Sequence, residues 1–343
     1  MAVTTPGFPV PVFAASAGDA WGEVQELRAR PEIRLVPSPR QASVLLVAGA
    51  IPSDHAEAVD RVHDQLPHPR ATVRWRPRPA GLAGPEVVVD GGPDEVVAAI
   101  VAVHLTLSEG GEASEPDRNP DQEPNEWRGV GPNGQGGEGM MGGTPYGRPM
   151  AMTGDDRDGL ALDQLHLRFG PFLDALPAGL VLDVTLQGDV LQKVSARRSD
   201  PTPEEGVDVD PGRQGLRWLA HALHVQGLDA LAAQAADLAC DRSRGRDVGV
   251  DLRRLRRRIR RSGLLWMLRQ TGVVDGDGDA ADRWSRRLDA IEAAVGDAVL
   301  DRSPPTAVED LDELLKGKTL GDAVTTIVSL DLDTAPMVRG AAP

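Results

Sequence analysis

Over residues 10–107, short apolar runs alternate with longer periodic segments, and this pattern does most to limit what the chain can fold into. The runs at 11–15, 43–48, 72–75 and 86–89 are strand-like and bounded by Gly or Pro. Between them, 21–30, 56–65 and 93–106 carry apolar residues at helical spacing. When strands alternate with helices, each helix serves as a crossover, neighbouring strands run parallel, and helices cover the sheet. An α/β domain with a small parallel sheet is therefore expected over 1–107.

Residues 108–150 have a different character. Glu109, Glu112, Glu115, Asp117, Asp121, Glu123 and Glu126 precede a run that includes Gly131, Gly134, Gly136, Gly137, Gly139, Gly142 and Gly143. So little apolar surface cannot offset the entropy of ordering the segment, so a flexible acidic, Gly-rich interdomain linker is expected. The GxGxxG-like spacings within it lack the preceding strand and following helix that a dinucleotide site requires. Beyond it, 165–169 and 180–186 alternate like strands, and Gly188-Asp189 turns the chain back into 190–194. Helical periods then occupy 215–225, 229–240, 251–269 and 280–298, with shorter elements at 308–315 and 319–328. The expectation for 151–343 is a second, α+β and mostly helical domain.

The composition suits two packed cores, with 343 residues of which 41% are hydrophobic. A formal charge of -15 makes the average surface repel nucleic acid and anionic lipid unless a local basic patch intervenes. The sole cysteine, Cys240, rules out an intrachain disulfide and any all-cysteine metal or cluster site built within one chain. The start of the chain shows no basic-then-apolar leader, and the apolar stretches 43–51 and 96–107 are too short to cross a bilayer. A cytoplasmic protein, at most peripheral at the inner face of the membrane, is expected.

The string Ser38-Pro39-Arg40-Gln41-Ala42-Ser43-Val44-Leu45-Leu46-Val47-Ala48-Gly49, followed by Val62-His63-Asp64-Gln65-Leu66-Pro67-His68-Pro69-Arg70, resembles the small, cluster-bearing subunit of NADH:quinone oxidoreductase (complex I) and of [NiFe]-hydrogenases. That resemblance implies a 4Fe-4S cluster held by cysteines near the N-terminus, after a later strand, and in a turn opening the last helix. At the resembled positions this chain has Ala17 and Ala20 in the first element and Gly92 in the last, and the stretch between Trp75 and Pro85 is too short to supply the third. Neither Ala nor Gly can donate an electron pair to iron, so the family's cluster is expected to be absent and no cofactor is expected. Glu23, three residues after Ala20, matches a family glutamate on the proton or quinone side. The alternative reading is a carboxylate favoured by the dipole in a helix's first turn.

Phe169-Gly170-Pro171, followed by Pro177-Ala178-Gly179-Leu180-Val181-Leu182-Asp183-Val184-Thr185-Leu186-Gln187-Gly188-Asp189-Val190, is similar to the N-terminal hairpin of the large, quinone-side subunit of the same complexes. Leu315-Lys316-Gly317-Lys318-Thr319-Leu320-Gly321-Asp322-Ala323 is similar to that subunit's closing segment. Where the quinone-type family has a His-rich turn, this chain has Phe172-Leu173-Asp174-Ala175-Leu176. His221 and His224 share one helical face but have no third metal ligand in view, so a structural pair is expected and no metal site.

Arg253, Arg254, Arg256, Arg257, Arg258, Arg260 and Arg261 crowd one stretch, through which Leu252, Leu255, Ile259 and Trp266 keep an apolar stripe. Two readings stand: an amphipathic helix with solvated or linker-paired arginines, or a docking face for an acidic partner, anionic lipid or phosphate. No GxSxG, HExxH or P-loop occurs. The leading expectation is a non-catalytic, cluster-less structural or assembly subunit partnered by other subunits of a complex I-like or hydrogenase-like assembly, membrane-arm proteins included. Two alternatives stand beside it. One is an electron-transfer or quinone-reactive subunit using its partners' redox centres, and the other is a phosphate- or nucleic-acid-binding module on the arginine helix.

Overall fold

The computed structural model describes residues 8–77, 87–111, 114–119, 152–155, 161–198, 210–298, 306–330 and 332. The first domain runs β1 (Val10–Ser16), α1 (Gly18–Glu26), β2 (Ile33–Leu35), β3 (Val44–Ala48), α2 (Ala56–His63), β4 (Ala71–Trp75), β5 (Val87–Val89) and α3 (Pro93–Ser108). Its five strands form one sheet in the order β2-β1-β3-β4-β5, with every neighbouring pair parallel. This is the 2-1-3-4-5 order of an open doubly wound sheet, whose direction of winding reverses between β1 and β3.

Every residue of β3 is buried, because helices cover both faces of the sheet; the strand therefore reads as an unbroken apolar run. Val44 and Leu46 face one side, packing with Val24 of α1, Leu27 just after it, and Val96, Ile100 and Val103 of α3. Leu45 and Val47 face the other, packing with Phe13, Ala15 and Val59.

Part of the stretch read as a linker is docked. Ser108 still belongs to α3, and residues 114–119 lie back against the start of β4. The Glu115 carboxylate accepts hydrogen bonds from the Thr72 amide at 2.6 Å and hydroxyl at 2.8 Å, and lies 2.9 Å from His63 Nε2. Asp64 accepts from the Arg118 and Asn119 amides, both at 2.9 Å, and Arg70 pairs with Asp117. Specific hydrogen bonds and charge pairing, rather than apolar burial, hold this acidic segment. Residues 120–150 lie outside the described residues.

The second domain opens with an antiparallel sheet of β6 (Met152–Asp155), β7 (Ala161–Phe169), β8 (Leu180–Gln187) and β9 (Val190–Arg198), in that order. Seven helices follow among the described residues: α4 (Pro211–Val225), α5 (Asp229–Ser243), α6 (Gly249–Arg261), α7 (Leu264–Met267), α8 (Ala280–Val295), α9 (Leu311–Leu315) and α10 (Leu320–Ser329). Leu219 and Leu223 of α4, Ala235 of α5, Leu255 of α6 and Trp284 of α8 share one core. A second core joins Leu182, Val184 and Leu191 of the sheet to Leu311, Leu315 and Ile327.

The single helix expected over 251–269 is two. Gly263 adopts φ +84°, a left-handed conformation that ends α6 and redirects the chain into α7. Trp266, expected to continue the apolar stripe, is consequently 73% exposed, while Leu252, Leu255 and Ile259 are buried as the stripe requires. Among the described residues, no helix is long and apolar enough to cross a membrane.

Candidate functional site

In an open parallel sheet, ligands gather at the carboxyl ends of the strands, and the positions singled out by sequence lie at that edge. Ala17 is the residue preceding α1, Ala20 is buried in its first turn, and Gly92 precedes α3 in extended backbone. The two elements are joined by the last residue of β4 and the one that follows it. Arg76, at φ +49°, donates to the Gly91 carbonyl at 3.3 Å and pairs with Glu23 at 2.6 Å. Trp75 Nε1 donates to the same carbonyl at 2.9 Å. Glu23 is thus the anionic half of a bridge between α1 and the turn before α3.

At the point where winding reverses, the Asp19 carboxylate accepts from the Ala50 amide at 3.1 and 3.2 Å. A Cβ on Gly49 would meet Asp19 Oδ1 at 2.2 Å, so α1 supplies the anion for this crevice from its own first turn. The groups at Ala17, Ala20 and Gly92 do not fit an iron–sulfur cluster: they present two methyls and a hydrogen where thiolates would be needed, with a guanidinium spanning α1 and the Gly91 turn.

A second cluster lies where α1 meets α4, α5 and the β7–β8 loop. Glu26, 2% exposed, accepts from Arg213 at 2.7 and 2.9 Å and from Arg217 at 2.8 Å. Burial lowers the pKa of Arg213, but its hydrogen bond to Glu26 and the Glu26 charge outweigh this and raise it above its ordinary value. The Cys240 thiol lies 3.9 Å from Glu26, and burial together with the Glu26 charge pushes it up to about 11. A thiol raised that far is un-ionised near neutrality and a poor nucleophile.

Alongside, the β7–β8 loop crosses from one domain to the other. Gly170 takes φ +89°, and any Cβ there would stand 2.1 Å from the Leu180 carbonyl oxygen, so only glycine fits the approach. Phe172 inserts into the first domain's core beside Phe13 and Leu45, with its ring edge-on to His55 at 5.9 Å. Asp174 receives Arg28 at 2.8 Å and His224 Nε2 at 2.6 Å, and its carbonyl accepts from His221 Nε2 at 2.8 Å. Trp21 packs edge-on to His221 at 5.1 Å.

Burial alone would raise the Asp174 pKa, but the His224 hydrogen bond and the Arg28 charge overcome it and hold the carboxyl down to about 2. For His221, burial dominates and pushes the imidazole down to about 4. Burial likewise lowers Arg28 from its ordinary value, against the Asp174 charge. His221 and His224 therefore hold a loop. The cavity left among Trp21, Gln25, Phe172 and Asp174 is about 30 Å³, room for a water or two, against the ~300 Å³ or more of ligand pockets.

The arginines of α6 divide into two sets. Arg256 pairs with Asp289 and Glu292 of α8, Arg254 pairs with Asp251 at 2.6 Å, and Arg258 donates to Gln234. Arg253, Arg257, Arg260 and Arg261 are exposed and make no ion pair or side-chain hydrogen bond with another described residue.

Glu26 and Arg76 escaped the reading of the sequence, and Asp174 entered it only as one residue of the run 172–176, with no role. The available signal was Arg213 and Arg217 four apart on one helical face, which positions two guanidiniums to converge on one carboxylate. Among the described residues, no group of three or more His, Cys, Asp or Glu side chains is arranged to hold a metal ion. No family model and no curated protein sequence matches the chain.

Proposed function

We propose that this chain is a non-catalytic structural or assembly subunit of a complex I-like or hydrogenase-like, membrane-associated oxidoreductase. One observation carries the reading: Arg76 ties Glu23 on α1 to the Gly91 turn before α3, between the two elements whose counterparts in the resembled family hold cluster cysteines. A guanidinium paired with a carboxylate stabilises the scaffold but offers neither a soft donor nor a redox couple. The β7–β8 loop supports the same reading. Where the resembled large subunit carries its His-rich turn, Phe172 fills space in the neighbouring core and Asp174 is locked by Arg28 and His224.

On this reading the partners are the catalytic and membrane-arm subunits of the host assembly. Affinity purification of the tagged chain from gently solubilised membranes should co-purify such subunits in fixed ratio. Two results would overturn the proposal: a purified complex holding none of them, or isolated protein with a stoichiometric iron–sulfur absorption and paramagnetic signal.

A further inference from the structure

Arg253, Arg257, Arg260 and Arg261, the arginines of α6 without partners among the described residues, are four, seven and eight positions apart from the first. At 3.6 residues per turn they fall within roughly a 100° wedge, opposite the buried stripe of Leu252, Leu255 and Ile259. Within the fold, Arg254 and Arg256 are charge-paired and Arg258 is hydrogen-bonded to the neutral Gln234, whereas this stripe has neither kind of partner among the described residues. On a chain of formal charge -15, an unneutralised cationic stripe is a local exception.

Shortly after the stripe in sequence comes an exposed apolar pair. Beyond the left-handed turn at Gly263, Leu264 and Leu268 are buried and anchor α7. Between those anchors Trp266 and Met267 project outward, 73% and 62% exposed. Their outward placement is therefore imposed by the turn and the two buried leucines.

We propose that α6 and α7 form a docking surface for an anionic lipid bilayer, with the arginine stripe on headgroup phosphates and Trp266 and Met267 entering the acyl boundary. Charge complementarity selects an anionic partner. The adjacent exposed Trp and Met select a bilayer over a nucleic acid: a duplex rewards arginines but offers no apolar phase for a thioether, whereas the membrane interface accepts both side chains. The proposal stands on this surface alone and does not depend on the scaffold role argued above.

The test is co-sedimentation of the purified full chain with vesicles of phosphatidylcholine alone, and of phosphatidylcholine mixed with phosphatidylglycerol. Binding is expected to the mixed vesicles only and to fall as salt is raised. Arg257→Glu with Arg260→Glu should weaken it by at least about tenfold. Trp266→Ser with Met267→Ser should weaken it comparably, with far-ultraviolet circular dichroism unchanged in both variants. The proposal is overturned by equal binding to neutral vesicles, by no binding, by either folded variant binding like the parent, or by a short DNA duplex displacing the protein from the mixed vesicles.

Discussion

The Glu26 carboxylate at the end of α1 accepts two hydrogen bonds from the guanidinium of Arg213 on α4, at 2.7 and 2.9 Å, across 187 residues of sequence. This fork-on-fork pair, with Arg217 adding a third bond, fastens the parallel-sheet domain to the helical one. Removing the acid strands two guanidiniums against buried surface. Glu26→Ala should therefore destabilise the protein by about 3 kcal/mol, the lower end of the cost of breaking a buried pair, because Arg213 retains some contact with solvent. Urea unfolding of the purified protein measures it, and a loss below about 1 kcal/mol would show that the pair holds little.

Phe172 fastens the same interface by packing. Its ring belongs to one domain by sequence and to the other's core by contact, beside Phe13 and Leu45. Phe172→Ala should cost about 3 kcal/mol, the lower bound for emptying an aromatic site, since the loop can partly collapse. Leu173→Ala, at the exposed next position, should change stability by less than about 0.5 kcal/mol. Equal midpoints for the two variants in thermal unfolding would refute the plug.

Much of the first domain was legible because its signals are local. The 43–48 run is a strand buried on both faces, and Pro93 marks the start of α3. β2 escaped because Ile33-Arg34-Leu35 is too short to display a period. The break at Gly263 escaped because apolar spacing continues through it, and only the backbone angle ends the helix. Acidic composition concealed Glu115, whose ordering depends on His63 and Thr72 far earlier in the chain. The candidate site was the least legible part. Alanines and a glycine can be located from a resemblance, but Arg76 bridging to Gly91 and Asp174 reaching Arg28 depend on tertiary closure.

His221 makes stability fall toward acid pH. Its imidazole is pushed from 6.5 down to about 4 in the folded state, so below 6.5 the unfolded chain binds a proton that the native state refuses. The free energy of unfolding therefore rises with pH between about 4 and 6.5, and this residue contributes about 3 kcal/mol to the change. His221→Gln keeps a donor for the Asp174 carbonyl but cannot titrate. Its stability measured at pH 7 and pH 4.5 should differ by clearly less than the parent's, and parallel pH profiles would exclude the assignment.

Glu115 supplies the opposite end of the first domain with a releasable clasp. Burial alone would raise its pKa, but hydrogen bonds from His63 and Thr72 outweigh that and lower it, so its stabilisation is present above the ordinary carboxylate range and fades as pH falls through the depressed value. Glu115→Gln keeps the size of the side chain but removes the charge facing His63 and Arg118. The neutral amide also turns a donor toward Thr72, whose amide and hydroxyl both need an acceptor. The segment 114–119 should then detach while β3 and its neighbours remain packed, because the sheet core does not include it. Hydrogen exchange at the Thr72 amide should accelerate by about tenfold or more, as expected for losing a bond worth about 1.5 kcal/mol to a charged group, with exchange in β3 unchanged. If Thr72 stays as protected as in the parent protein, the strand protects its own amide and Glu115 is not the clasp.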